Sequence, residues 1–328
     1  MKANALFFTG PRRVELGEVN LPDPVNGQLL VRTTYSGISS GSELLAYRGE
    51  IDPNLPVDEA LPVLSGNFEF PFQFGYSSVG VVERSYANVP TGSRVFAFHP
   101  HQDRFVVEAD ETLPVTVDDE IATLYPLVET ALQVSVDAAP SSGTTVVVMG
   151  QGAVGILTAL LLQAAGARVL ASEPKPGNRK IADSLGIETV EPSELADAVA
   201  NATSGSGVGL VVEASGNAAA LADSLPLLES DGVVIVCSWY GTKRVALDLG
   251  THFHRRRLTI RSSQVSTLGP SSRVWDRRRR TELALKFMEE LPLDALVTHE
   301  YSFERAPNAY AALDQGEDGL IHANLIYQ

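Results

Sequence analysis

The feature that most constrains this chain is a glycine loop at the end of a continuous apolar run. Thr144-Thr145-Val146-Val147-Val148-Met149 runs straight into Gly150-Gln151-Gly152-Ala153-Val154-Gly155, and a helix-compatible stretch follows to Ala165. Apolar residues without alternation mark a strand buried on both faces. A G-x-G-x-x-G between such a strand and a helix has a physical reading that the bare motif lacks. The first glycine permits the tight turn, the second lets backbone approach a pyrophosphate, and the third lets helix pack on strand. The N–H groups that open the helix then face the anion.

Downstream the alternation continues. Strand patterns at Arg168–Ala171, Leu210–Glu213, Val233–Cys237 and Leu258–Arg261 are separated by helical patterns at 177–185 and 218–228. This predicts a doubly wound, parallel α/β sheet over 127–264. Glu173 lies 18 residues beyond Gly155, near the offset of about 20 at which an acid takes ribose hydroxyls. It favours NAD; Lys175 and Arg179, just beyond, leave NADP open. Ala214, Ser215 and Gly216, then Ser238, Trp239 and Tyr240, fall at later strand ends, and Ser263 follows the last strand; all are expected to line the cofactor crevice.

The flanks differ. Residues 1–126 read as β-rich, with Gly and Pro at close intervals, and 265–328 is a mixed tail with one amphipathic helix at 276–290. The flanks are expected to form one discontinuous domain with the nucleotide domain inserted. Segment 50–74 carries several prolines and reads as a surface excursion near a site mouth. The net charge of −15 disfavours nucleic acid as a partner. The single cysteine, Cys237, excludes an internal disulfide and a multi-cysteine zinc site. No apolar stretch has the length of a membrane span and the N-terminus does not read as a signal peptide, so a cytoplasmic protein with a small-molecule substrate and no membrane partner is expected.

Several segments resemble the medium-chain dehydrogenase/reductase superfamily. Ser36-Gly37-Ile38-Ser39-Ser40-Gly41-Ser42-Glu43 is similar to its GIC-G-[ST]-D segment, and Gly75-Tyr76-Ser77-Ser78-Val79-Gly80 to its GHE-x-x-G segment. Glu129-Thr130-Ala131-Leu132 and the stretch from Leu296-Val297-Thr298-His299 to Ala311-Ala312-Leu313 extend the resemblance nearly end to end. It implies a GroES-like β-barrel catalytic domain, a Rossmann domain, an interdomain cleft, hydride transfer and a homodimer or larger oligomer. It also implies a place beneath the nicotinamide for Thr130 and a pyrophosphate contact for His322.

The departures bear on the chemistry. Ser39 or Ser40 stands where zinc-dependent members have a Cys, Tyr76 and Ser77 stand at the His-Glu pair, and the four-cysteine lobe is absent. Neutral hydroxyls are poor zinc ligands, so neither zinc is expected. The pattern resembles a zinc-lacking branch that includes bacteriochlorophyllide a dehydrogenase-like proteins. Without a Lewis acid, hydrogen-bond donors must polarise the carbonyl and one side chain must supply a proton. Tyr76 is the first candidate donor, with Ser39 and Ser40 orienting the substrate oxygen. Glu43 matches the family's acid behind the metal, with Arg48 as its expected partner. His99 and His101 are candidates for proton relay; as a metal site they lack a third ligand. The arginine runs at 255–257 and 277–280 read as solvated faces or a positive rim. The expected function is zinc-independent NAD(P)-dependent hydride transfer between nicotinamide and a secondary alcohol or ketone. An enoyl or quinone C=C reductase and a non-catalytic nucleotide sensor are the alternatives.

Overall fold

The computed structural model describes residues 1–58, 61, 63–266 and 275–328. Its contacts divide it into two compact units, Met1–Pro126 with Met288–Gln328, and Leu127–Phe287.

The first unit opens on an antiparallel hairpin of β1 (Lys2–Gly10) and β2 (Arg13–Asn20). β3 (Gln28–Ile38) leads through a short turn into α1 (Ser42–Arg48). β4 (Ser78–Ser85), β5 (Arg94–Ala97), β6 (Arg104–Glu108), β7 (Thr112–Pro114) and α2 (Asp119–Ala122) complete its N-terminal part. The chain enters the second unit within α3 (Tyr125–Ala138).

That unit is built on a six-stranded sheet. β8 (Thr145–Met149) is followed by α4 (Ala153–Ala164), β9 (Arg168–Ser172), α5 (Pro176–Ser184) and β10 (Glu188–Val190). Then come α6 (Leu195–Thr203), β11 (Val208–Glu213), α7 (Ala218–Ser224), β12 (Leu228–Val236) and β13 (Thr259–Ser262). All neighbours are parallel and the order is β10-β9-β8-β11-β12-β13. This is the 3-2-1-4-5-6 order of a doubly wound sheet, and the winding reverses between β8 and β11. Val146, Val147 and Val148 are fully buried, as a central strand covered on both faces requires.

α8 (Arg277–Glu290) leads back to the first unit, and the units divide at Phe287 rather than near residue 265. The reason is Arg280. Its guanidinium is buried, donating to Glu129 at 3.1 Å and Gln133 at 3.1 Å on α3 and to the Val265 carbonyl at 2.7 Å. The end of the arginine run is therefore a structural tie, not a solvated face.

β14 (Val297–Ser302), α9 (Ala306–Gln315) and β15 (His322–Ile326) finish the first unit. β15 pairs antiparallel with the second half of β3, giving the sheet order β14-β15-β3-β4-β5-β7, while β6 pairs with the first half of β3. Segment 50–74 is not a surface excursion. Ile51, Val57, Leu64, Phe68, Phe72 and Phe74 are buried in the main core of this unit. Phe72 stacks on Phe8 at 5.2 Å, and Phe68 meets Phe72 and Phe74 edge-on at 5.3 and 5.4 Å. Prolines remove regular structure from the segment, but its aromatic rings carry enough apolar area to hold it in the core without one.

Candidate functional site

In the second unit the glycine loop lies at the carboxyl ends of β8 and β11, where the winding reverses. Gly150 has φ +92°, and its N–H donates to the Ser172 carbonyl at 2.7 Å. A Cβ on Gly150 would lie 2.7 Å from the Ser215 Cα, and one on Gly155 would lie 1.9 Å from the Gly150 carbonyl oxygen. Only glycine fits at either position. Gly152 differs, because a Cβ there would meet nothing within 4 Å. It opens α4 without a side-chain cap, so the first N–H groups of a twelve-residue helix face open space. A loop closed behind and open in front, at a helix start, suits a pyrophosphate.

The surroundings are organised by two buried carboxylates. Glu173, after β9, accepts the Gln151 N–H at 2.7 Å and the Lys175 N–H at 3.0 Å. Arg179 donates to the carbonyls of Glu173 and Pro174 at 2.8 and 2.9 Å and pairs with Glu191 at 2.7 Å, so its guanidinium is already engaged. Glu213, at the end of β11, accepts from the Ser215 N–H at 2.7 Å, the Gly216 N–H at 3.1 Å and the Tyr240 hydroxyl at 2.7 Å. It shapes the Ala214–Gly216 turn that Gly150 packs against. Gly216 also donates to the Ser238 hydroxyl at 2.9 Å. Cys237 lends its thiol to the Glu213 carbonyl, and burial pushes that thiol up to about 12. Trp239 is exposed, Thr130 is half-buried on α3, and Ser263 bonds Asp137 at 2.7 Å.

In the first unit a second cluster forms where β3 runs into α1 and where the chain enters β4. The Tyr76 hydroxyl, half-buried, donates to Ser39 Oγ at 2.5 Å and lies 3.3 Å from Ser42 Oγ. Burial pushes its phenol up to about 12, and the charges of Glu43 and Asp58 add to that while the serine hydrogen bonds oppose it. The serine beside Ser39 here is Ser42, not Ser40. Three residues separate Ser39 from Ser42 across the helix start, which brings both hydroxyls to one side.

Behind this cluster lies a fully buried polar network. Glu43 Oε1 accepts the Ser39 N–H at 2.7 Å, while Oε2 takes the Tyr310 hydroxyl and lies 2.9 Å from His101 Nε2. His101 Nδ1 is 2.7 Å from Ser36 Oγ, which is 2.8 Å from the Tyr327 hydroxyl. Arg48 is not the partner of Glu43; it pairs with Asp314 at 2.5 Å. Five positions on a helix turn the two side chains roughly 140° apart.

Three histidine assignments need correction. His99 is buried, stacks on Phe105 at 4.2 Å and bonds the Pro100 carbonyl at 2.9 Å; burial pulls it down to about 4, so it is a neutral core residue rather than a relay. His101 has both ring nitrogens inside the network and no exposed surface with which to meet a substrate. His322 packs against Gly37 and lies 3.0 Å from the Thr123 hydroxyl; burial lowers it to about 4, which removes the positive charge that a pyrophosphate contact needs. Ser77, expected at the metal position, donates to the Thr123 carbonyl at 2.6 Å. Among the described residues no group of three or more His, Cys, Asp or Glu side chains is arranged to hold a metal. Tyr310 and Tyr327 reach the network from distant positions, and no local motif marks them.

A family model described as zinc-binding dehydrogenase matches residues 153–289. L-threonine 3-dehydrogenase of Pyrococcus horikoshii is 29% identical over 214 residues, 63% of this chain and 59% of that protein. The chain thus spans less than two thirds of the length of the threonine dehydrogenases it matches. 2-Desacetyl-2-hydroxyethyl bacteriochlorophyllide A dehydrogenase of Cereibacter sphaeroides is 28% identical over 340 residues, covering 98% of this chain and 97% of that protein. The crystal structure of 2R,3R-butanediol dehydrogenase from Bacillus subtilis superposes with a TM-score of 0.79 at 19% identity, over 99% of both chains. Over nearly its whole length the chain is similar to dehydrogenases of this kind.

Proposed function

We propose that this chain is a nicotinamide-dependent oxidoreductase that interconverts a secondary alcohol and a ketone without zinc. The observation that carries the reading is the Tyr76 phenol set against Ser39 and Ser42, at the place where the family's metal ligands stand. The donor set does not suit zinc. The three hydroxyls are neutral and turned on one another, both oxygens of Glu43 are engaged, and both nitrogens of His101 have partners.

The open face at Gly152 and the first N–H groups of α4 fit a dinucleotide pyrophosphate. Glu173 keeps lone pairs beyond the two that Gln151 and Lys175 use, enough to accept ribose hydroxyls, and its charge opposes a 2′-phosphate. With Arg179 engaged elsewhere, NAD is the favoured form. A bound nicotinamide supplies or takes up the hydride. Tyr76 handles the proton: a phenol held near 12 stays protonated at neutral pH and donates to a carbonyl oxygen as that oxygen becomes an alkoxide. Ser39 and Ser42 hold the phenol and offer hydroxyls to the same oxygen.

Absorbance of NADH and NADPH in the presence of ketones and enones tests the reading. Ketone-dependent oxidation, faster with NADH, is expected. NADPH-dependent reduction of enone C=C bonds alone would replace it with an alkene reductase, and dinucleotide binding without turnover would leave a sensor.

A further inference from the structure

The network behind Tyr76 is buried and continuous. The Ser39 N–H and the Tyr310 O–H donate to Glu43, and His101 Nε2 lies 2.9 Å from its Oε2. His101 Nδ1 lies 2.7 Å from Ser36 Oγ, which lies 2.8 Å from the Tyr327 hydroxyl.

Two links tie the network to Tyr76. Glu43 fixes the backbone of Ser39, and Ser39 Oγ receives the phenol proton. On the other side His101 lies against Gly75, the residue before Tyr76. Gly75 has φ +102°, and a Cβ there would meet the imidazole at 2.6 Å. The ring therefore sits flush with the backbone that carries the phenol. We propose that Glu43, oriented by His101 and Tyr310, is a positioning residue that sets the direction of the Tyr76 hydroxyl through Ser39. This rests on Tyr76 being the proton donor. Misplacement of a reacting group by about 1 Å costs on the order of 100-fold in rate, so a rigid mount has a use that packing alone does not explain.

The test uses Tyr310→Phe and Glu43→Gln, alone and combined with Tyr76→Phe. Tyr310→Phe is nearly isosteric and keeps the Glu43 side chain, so it guards against loss of fold. Two readouts are taken on the full chain: ketone reduction, and NMR of tyrosine labelled with carbon-13 at Cζ, where the Tyr76 signal is the one that Tyr76→Phe removes. Each variant is expected to lower kcat, roughly 10- to 100-fold for Glu43→Gln, with KM little changed. Neither is expected to lower it further once Tyr76 is Phe. The Tyr76 signal is expected to move in Tyr310→Phe. An unmoved signal in folded Tyr310→Phe, or losses that multiply intact onto Tyr76→Phe, would overturn the proposal. If the protein turns over no ketone, the proposed reaction fails while the NMR result still decides whether the network positions Tyr76.

Discussion

In the proposed reaction Tyr76 handles the proton, and its protonation state sets the expected pH dependence. With the phenol held near 12, the acid form is present throughout the neutral range. Reduction rates should therefore stay flat between about pH 6 and 10, whereas oxidation, which needs the phenolate as base, should climb with pH. Tyr76→Phe should lower turnover on the order of 100-fold, flatten the oxidation profile and leave the melting temperature nearly unchanged; initial rates in both directions across pH measure this. His99 and His322 make a separate prediction. Both are pulled from 6.5 to about 4 by burial. Between those values the unfolded chain binds protons that the folded chain does not. Stability is thus intact above pH 6.5 and falls as pH drops toward 4, by on the order of 3 kcal/mol per histidine. Urea midpoints at pH 7 and 5 should show the loss, and His99→Phe, which keeps the stack on Phe105, should make it shallower. Tyr76, Ser39 and Glu43 are legible as candidates because they sit in short motifs. Ser42 was within reach through its spacing from Ser39. Tyr310 was not, since it meets Glu43 across 267 positions and no local pattern encodes that contact.

The glycine loop was legible for the same reason of locality. Strand, turn and helix each leave a signal within a dozen residues, and their order gives the motif its meaning. The loop's glycines should separate by role. Gly155→Ala forces a Cβ against a carbonyl and should destabilise the fold by about 1–3 kcal/mol or more. Gly152→Val faces open space, so it should melt near the parent while weakening dinucleotide binding; thermal melts beside a fluorescence titration with NADH separate the two. Other elements were hidden. β10 and α6 carry weak periodic patterns, and segment 50–74 reads as surface because prolines dominate its pattern. Burial there follows from aromatic rings meeting β1 and one another, which is tertiary information. The same holds for α8. Arg280 reads as part of a charged run, but it is buried against Glu129. Arg280→Ala should cost about 3–5 kcal/mol in denaturant unfolding, because it strands a buried carboxylate.

At the scale of the whole chain, the order of a β-rich part, a nucleotide-binding sheet and a return was readable from the change in periodicity near residue 120 and its end after 265. The return point was read too early, because the tie from Arg280 to α3 has no signature in hydrophobic pattern. Charge also sorts at this scale. In a chain of net charge −15, several of the clustered arginines are bound locally: Arg256 to the carbonyls of Pro226 and Leu228, Arg257 to Asp231 and Arg278 to Glu282. Arg257 and Arg278 stay largely exposed in these pairs, so they add little to stability.

The central claim is hydride transfer with the proton handled by hydroxyls in place of a metal. The most direct measurement is NADH-dependent ketone reduction by protein dialysed against a strong chelator, with zinc counted by elemental analysis in the same sample. The account predicts undiminished turnover at zinc well below one per chain. Turnover that vanishes on chelation and returns only with stoichiometric zinc would contradict it.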